Sequence, residues 1–293
     1  MKANRSDRLF DVMNAALMIC LILLVLYPLY FIVIASFSNP DQVNAGHTWF
    51  YPRDITWEGY TRLFSYSSLW QGYANTILYT IVGTVINVSL TLTAGYALSR
   101  QDLDGRRIIM MIIAFTMFFS GGLIPTYLLV KSLGMVNTAW ALWLPGAVSA
   151  FHIIISRTFF QTTIPHELLE AAEMDGCSNT RFFGRIVLPL SMPIVAVIVL
   201  FCAVSHWNSY FPALIYLRNE KLYPLQIILR DILIANESQS DLVGDIADVA
   251  AKTRIADMMK FGVIIVSSLP VLILYPFLQK YFMKGVMIGS LKG

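Results

Sequence analysis

Six stretches of this chain carry no Asp, Glu, Lys or Arg: residues 12–40, 63–99, 108–130, 132–156, 186–217 and 261–279. A helix needs about 20 apolar residues to cross a bilayer, and each stretch holds one span, the last borrowing Met258, Met259 and Tyr281. Inside lipid no water reaches backbone N–H and C=O groups, so a span must satisfy them internally, as a helix does. The run Ala15–Ala35 lacks the polar face that a helix of a soluble core shows at its 3.6-residue period. With 57% hydrophobic and 13% charged residues, a large soluble core is excluded. The sequence therefore predicts an all-α integral membrane protein with six transmembrane helices, at about 12–36, 74–98, 108–130, 138–157, 189–211 and 259–281.

Lys and Arg orient the spans, because cytoplasmic loops are enriched in them. With the N-terminus inside, twelve fall in the cytoplasm and nine outside, six of the nine in the single segment 218–260. The short connections decide: Arg100, Arg106 and Arg107 crowd the turn after the second span, against Lys131 alone after the third. Both termini are expected inside. The first apolar run is too long for a cleaved signal peptide and no small-residue cleavage site follows, so it reads as an anchor. The net charge of +3 reflects this topology and points to no nucleic acid. Cys20, Cys177 and Cys202 share no ligand spacing and receive no metal or redox role.

The segment 41–62 gathers His47, Trp49, Phe50, Tyr51, Trp57 and Tyr60, the aromatic composition of a membrane–water interface; stacking on the rings of a ligand is the other reading. The second span carries Asn75, Thr76, Thr80, Thr84, Asn87 and Thr91, with Asn87, Thr91 and Gly95 on one face. Such a face serves either close helix packing or a polar wall along a substrate path. Gly121-Gly122 with Pro125, and Pro145-Gly146, are expected to break the third and fourth spans, which is tolerated where protein or a water-filled cavity satisfies the freed backbone. The fifth span ends in His206-Trp207-Asn208-Ser209-Tyr210. Candidate pathway-lining residues are Asn75, Thr84, Asn87, Thr91, Trp207, Asn208 and Tyr210. His206 has no second ligand at helical spacing, so no metal is assigned. In the external segment 212–257, Leu225, Ile228, Leu229, Ile232 and Leu233 predict an amphipathic helix near 224–235, followed by the acidic stretch 236–248.

Between the fourth and fifth spans lies a polar island. Thr163 as cap, Pro165 in the first turn and Gly176 as stop predict a helix over 164–175, about 18 Å long. Leu168, Leu169 and Ala172 form its apolar stripe, ringed by Glu167, Glu170, Glu173 and Asp175. A left-handed Gly176 would turn the chain into a second helix, Thr180–Leu188, feeding directly into the fifth span as a rigid link. Four acidic residues argue against a helix lying on the anionic inner leaflet. They have no neighbouring nucleophile or metal ligand, so no catalytic role is given to them. No Gly-x-x-x-x-Gly-Lys-Ser/Thr occurs either, so any ATP chemistry must come from a partner.

Glu170-Ala171-Ala172, then Gly176 after three residues, then Ile186-x-Leu188-Pro189 after nine, resemble the Glu-Ala-Ala signature of the membrane subunits of binding-protein-dependent ABC importers. The resemblance covers nearly the whole chain, including Phe119–Tyr127, Tyr223–Gln226 and Gln279–Gly289. It is to the carbohydrate branch that takes up oligosaccharides of complex polysaccharides, alginate among them. It implies the type I ABC importer permease fold, with a cytoplasmic coupling helix-turn-helix over 163–188. It implies that Glu170, Ala171, Ala172, Glu173, Asp175, Gly176, Ile186, Leu188 and Pro189 couple the pathway to an ATPase. The implied partners are a second, homologous permease subunit, two ATP-binding subunits holding ATP and Mg, and an external solute-binding protein, with membrane lipid around the complex and no cofactor on this chain. The segment 212–257 would face the binding protein, and Lys284–Gly293 would touch the ATPase. Cys177 departs from the alanine of many members, a small-for-small exchange. The alternative class, a secondary transporter driven by an ion gradient, usually places ionisable residues inside its spans, and the six windows have none. A membrane enzyme lacks any nucleophile or metal constellation.

Overall fold

The computed structural model describes residues 5–238, 254 and 257–276; the acidic stretch after Ser238 and the tail from 277 onward lie outside the described residues. Among the described residues all regular structure is helical. In chain order the helices are α1 (Arg5–Ser36), α2 (Pro40–Asn44), α3 (Glu58–Ser65), α4 (Ser67–Ser99), α5 (Arg106–Phe118), α6 (Leu123–Ser132), α7 (Trp140–Trp143), α8 (Ala150–Thr163) and α9 (His166–Met174). Then follow α10 (Asn179–Phe182), a π-helical turn (Phe183–Val187), α11 (Leu188–Leu190), α12 (Met192–Trp207), α13 (Phe211–Tyr216), α14 (Leu225–Ser238) and α15 (Asp257–Pro276).

Three of these are long and apolar enough to cross a membrane: α1 from Arg8, α4 and α15. Two pairs reach that standard only together and are sharply bent, α5–α6 by 114° and Asn179–Leu190 with α12 by 84°. The first break falls at Gly122, whose φ of +80° and ψ of 178° suit a residue without Cβ, and Pro125 in the first turn of α6 has no N–H to satisfy. Along 138–157 the chain is helical only at α7 and α8. Pro145-Gly146 separate the two, and Ser149 restarts the helix by accepting from the His152 N–H at 3.5 Å.

The chain forms two compact units. In the first (1–69 with 229–269), Asn39 caps α2 by accepting from the Asp41 N–H at 3.1 Å, and Phe37 packs against Trp57 and Tyr60 with ring centroids 5.0 and 5.2 Å apart. Asp41 pairs with Arg254 at 3.5 Å and Asn44 donates to Asp257 at 2.9 Å. Gly59 lets α3 lie directly against the Met258 carbonyl, 2.3 Å from where a Cβ would sit. Trp49, Phe50, Tyr51 and Trp57 are exposed.

In the second unit (70–228 with 270–293), α4 is the organising strut. Its upper half holds the segment before α14: Asn75 donates to the Lys221 and Tyr223 carbonyls at 2.8 and 3.0 Å, Tyr79 to Leu222 O at 2.9 Å, and the Leu225 N–H to Thr76 Oγ1 at 2.8 Å. Gly72 lets the start of α14 approach closely. Asn137, itself left-handed at φ +64°, accepts from the N–H groups of Arg218 and Asn219 at 2.9 Å each. Around Tyr79 and Trp143 a core of Leu142, Ala213, Leu217 and Ile227 closes this end. At the other end of α4 a second core unites Leu92, Phe160, Ala172, Phe182 and Val187.

Candidate functional site: an acidic elbow and a polar cavity

The polar island folds as a helix-turn-helix. Its first helix, α9, begins at His166, two residues later than the sequence predicts, because a residue preceding proline is disfavoured in the helical region; α8 runs through Thr163 and ends at Ile164, and Pro165 takes the extended N-cap position at ψ 144°. Thr163 is thus the last residue of α8, not a cap. The nine residues of α9 span about 14 Å.

Its end is a glycine cap of full form. Gly176 has φ +68°, its N–H donates to Glu173 O at 3.0 Å, and the Cys177 N–H reaches back to Ala172 O at 2.8 Å. These two bonds satisfy carbonyls that the last turn of a helix leaves free, and the left-handed residue is what permits them. Cys177 packs beside Ala172 in the same apolar cluster.

The apolar residues of α9 divide between two faces. Leu169 and Ala172 pack inward against Tyr96 of α4 and Phe160 of α8. Leu168 points out with Ala171 and Met174, the last 89% exposed. Glu167, Glu170, Glu173 and Asp175 are all exposed around them, and His166 Nδ1 lies 3.0 Å from Glu170 Oε1. The outer face is therefore an apolar knob in an acidic ring, and Met174 is a part of it that sequence reasoning missed.

The second arm is longer than the expected Thr180–Leu188. It runs from Asn179 to Leu190, with a π turn in which the Leu188 N–H reaches Phe183 O. At the buried Ser191 it bends by 84° into α12. The second arm does lead into the helix of the expected fifth span, but through a bend that Pro189 and Pro193 flank, each lacking an N–H. Ile186 and Leu188 are half-buried against the same cluster that holds Phe182 and Val187, while Pro189 is exposed.

The junction between elbow and bundle centres on Arg100, the residue after α4. Its guanidinium makes a bidentate pair with Asp102, Nε to Oδ1 and Nη2 to Oδ2 both at 2.7 Å. That pair, charge-assisted in both bonds, raises the Arg100 pKa and lowers that of Asp102 from its ordinary carboxylate value.

A cavity of about 500 Å³ opens where the two broken helices meet α4. Asn87, Ser120, Thr126, Gly146, Ser205 and His206 contribute to its wall, which among the described residues carries no Asp, Glu, Lys or Arg. Asn87 donates to Gly146 O at 3.3 Å, and its Oδ1 finds no partner among the described residues. The same holds for the buried hydroxyls of Thr84 and Thr91, each about one turn away on either side of Asn87 along α4. The other pathway candidates stand elsewhere. Asn75 spends both amide hydrogens on the Lys221 and Tyr223 carbonyls; Trp207 packs near Tyr73; Asn208 is exposed and donates to Val204 O at 2.9 Å; Tyr210 packs against the core around Tyr79. Ser120, Thr126 and Ser205 were missed, although the Gly-Gly and Pro-Gly breaks marked the place.

The site thus combines broken apolar helices, a polar cavity beside them and an acidic elbow. No family model matches the chain. It is 39% identical over 288 residues, 98% of this chain and 99% of the relative, to the polygalacturonan/rhamnogalacturonan transport system permease protein YtcP of Bacillus subtilis (strain 168). It is 38% identical over its whole length to Protein LplC of the same organism, covering 98% of it. Its structure matches, with a TM-score of 0.87 and 36% identity over 96% of this chain and 99% of the other, a chain in the crystal structure of a bacterial ABC transporter involved in the import of the acidic polysaccharide alginate. The chain belongs to this family of ABC-transporter permeases. Proteins of this kind transport and are not enzymes, and a gradient-driven secondary transporter is not favoured.

Proposed function

We propose that this chain is one permease subunit of an ATP-driven importer for oligosaccharides released from acidic polysaccharides, coupled to partner ATPases through residues 163–188. The observation that carries the reading is the elbow: a short, glycine-capped helix that offers Leu168, Ala171 and Met174 inside an acidic ring. An exposed apolar knob with charged surroundings is the form of a protein-docking anchor. The chain has no nucleotide-binding loop, so the ATP and Mg belong to two partner subunits. A second, homologous permease subunit completes the pathway, and an external binding protein delivers the sugar.

The six spans are α1, α4, the bent pair α5–α6, α7 with α8, the bent arm with α12, and α15. Both termini and the elbow face the cytoplasm of the inner membrane, as Arg100, Arg106, Arg107, Arg181 and Arg185 favour. The pathway passes the cavity beside Asn87, whose unpartnered oxygen and the neighbouring hydroxyls suit sugar hydroxyl groups. The substrate class rests on relatives named for polygalacturonan, rhamnogalacturonan and alginate.

The test places a single cysteine at Met174, in the full complex with Cys20, Cys177 and Cys202 replaced, and adds a thiol-reactive cross-linker. Cross-linking to the ATPase, together with lost uptake in Glu170→Lys at normal membrane insertion, is the expected result. Labelling of that cysteine by a membrane-impermeant reagent from outside intact cells would overturn the reading.

A further inference from the structure

The elbow's covalent route into the bundle is a poor lever. It contains a π turn, passes Pro189 and bends by 84° at Ser191, and each of these interrupts the regular bond ladder that stiffens a helix. Displacement of α9 reaches the bundle also through side-chain contacts: the apolar cluster of Leu169 and Ala172 with Tyr96 and Phe160, and a polar set that meets at Arg100.

A guanidinium has five N–H donors in a rigid planar fork. In Arg100 the fork meets five acceptors. Nε and Nη2 hold Asp102 at 2.7 Å each. Nη1 reaches Tyr96 Oη at 3.3 Å and Asn179 Oδ1 at 3.4 Å, and Nη2 also reaches Glu173 Oε1 at 3.5 Å. Glu173 belongs to the first arm of the elbow and Asn179 opens the second, so one side chain touches both arms across the Gly176 turn. The side chain is only 12% exposed while Asp102 is 63% exposed, which places the guanidinium inside the junction and its fixing carboxylate at the rim.

Its backbone is held equally firmly. The Arg100 carbonyl accepts from Arg106 Nη1 at 2.8 Å, Arg157 Nε donates to Leu98 O at 3.0 Å and Gln161 to Ser99 O at 3.4 Å. Beside it the Tyr96 ring lies 4.8 Å from Phe183 and 5.8 Å from Phe160. The distances are graded: short bonds fix the guanidinium to Asp102 in the turn after α4, at 2.7 Å, and longer ones reach Tyr96 on α4 at 3.3 Å and the elbow at 3.4 and 3.5 Å. That is the arrangement of a pre-oriented latch with a releasable side, since ideal N–H···O contacts lie near 2.9 Å and weaken beyond it.

We propose that Arg100 is a positioning residue that ties both arms of the elbow to the end of α4 and carries elbow movement to the helix lining the polar cavity. It binds neither sugar nor nucleotide. The proposal rests on the coupling role of the elbow given above. In it, α4 is driven from the side through Arg100, in parallel with α12 driven along the chain.

The experiment reconstitutes the full complex with its ATPase and binding protein in liposomes and reads two quantities: ATPase retained through purification, and sugar transported per ATP hydrolysed. Arg100→Gln should keep the ATPase yet lower sugar per ATP by about tenfold, the factor that the loss of one charge-assisted hydrogen bond corresponds to. Arg100→Lys, a point charge without the fork, should recover only part of the ratio. Asn179→Ala, an exposed single-acceptor change, should lower it by about two- to threefold and add nothing on top of Arg100→Gln. An unchanged ratio in Arg100→Gln, or in Asn179→Ala and Arg100→Lys together, overturns the latch. Loss of ATPase retention in step with loss of transport also overturns it, by making Arg100 a docking or folding residue. Glu170→Lys separates the two levels: if it keeps both ATPase and uptake, the coupling role of the elbow itself fails, whatever Arg100 does.

Discussion

Gly176 offers the cleanest perturbation of the elbow, because geometry and packing can be separated there. Its φ of +68° belongs to the left-handed region, and a Cβ built on it meets nothing within 4 Å. Alanine would therefore add no clash, and its whole cost is conformational: roughly 1–2 kcal/mol for an L-residue held left-handed. Asparagine, enriched in that region, should cost less. Proline differs in kind. Its ring fixes φ near −65°, roughly 130° away, and removes the N–H that donates to Glu173 O at 3.0 Å. The turn cannot then form, and any other turn would pull Ala172 and Phe182, 7% and 2% exposed, from the cluster they share with Phe160.

A cost of 1–2 kcal/mol divides the ratio of correctly to incorrectly turned elbows by about five- to thirtyfold. Uptake should consequently fall in the order Asn, Ala, Pro, with protein in the membrane at normal amounts. The assay measures initial uptake and the ATPase retained on the purified complex for each variant. Retained ATPase and uptake in Gly176→Pro would refute the argument, and so would an alanine variant as defective as the proline one, since that would put the defect in something other than φ.

Three further outcomes follow from the structure. Asn75→Ala and Thr76→Val strip the Lys221 and Tyr223 carbonyls and the Leu225 N–H of their partners, which should cost about 1–3 kcal/mol for each buried group left unpaired; thermal unfolding in detergent should show it, and an effect on substrate choice without loss of stability would refute the clamp. Gly59→Ala sets a Cβ 2.3 Å from the Met258 carbonyl, a backbone overlap that should destabilise by about 1–3 kcal/mol or more, and an unchanged melting temperature would show that α3 does not lie against that carbonyl. The Asp102 carboxyl, held below its ordinary value by Arg100, contributes what stability it has above the unfolded-state value and loses it only as pH falls through the lower folded one. Transport should accordingly show no Asp102-dependent step between about pH 5 and 8; a step in that window that disappears in Asp102→Asn would contradict it.

The apolar windows were legible as helices because hydrocarbon leaves a chain few ways to satisfy its backbone. Their interruptions were legible at Gly122 and Pro145-Gly146, where the residue types alone favour a break. The left-handed Gly176 was legible for the same reason. The start of α9 was not: Thr163 looked like a cap, yet the helical bias of α8 carries through it, and Pro165 moves the boundary to His166. The faces of α9 were misassigned because three apolar residues near one stripe do not reveal which neighbour each meets. Leu168 and Leu169 part company only once Tyr96 and Phe160 are in place. Arg100 was read as a topology marker, and nothing local to it announces Glu173 and Asn179, which lie more than seventy positions away.

The polar residues of α4 show why composition alone could not separate packing from pathway. Asn75, Thr76, Asn87 and Thr91 lie on one helix, all at least nine-tenths buried. The first two are consumed by backbone groups of residues 221–225, which arrive from the far side of the sequence. The oxygens of the last two stay unpartnered among the described residues, with Asn87 beside a cavity formed by helix breaks. A buried polar atom without a partner carries a desolvation cost that a ligand hydroxyl or water can relieve. An uncharged wall also suits passage, since a site must bind well enough to admit its cargo and weakly enough to release it. A fixed Lys or Arg here would hold a uronate carboxylate with a charge-assisted bond roughly twice as strong as a neutral one. Among the described residues no such residue lines this wall, so a cargo of the acidic class proposed above would meet only neutral hydroxyl, amide and imidazole groups here.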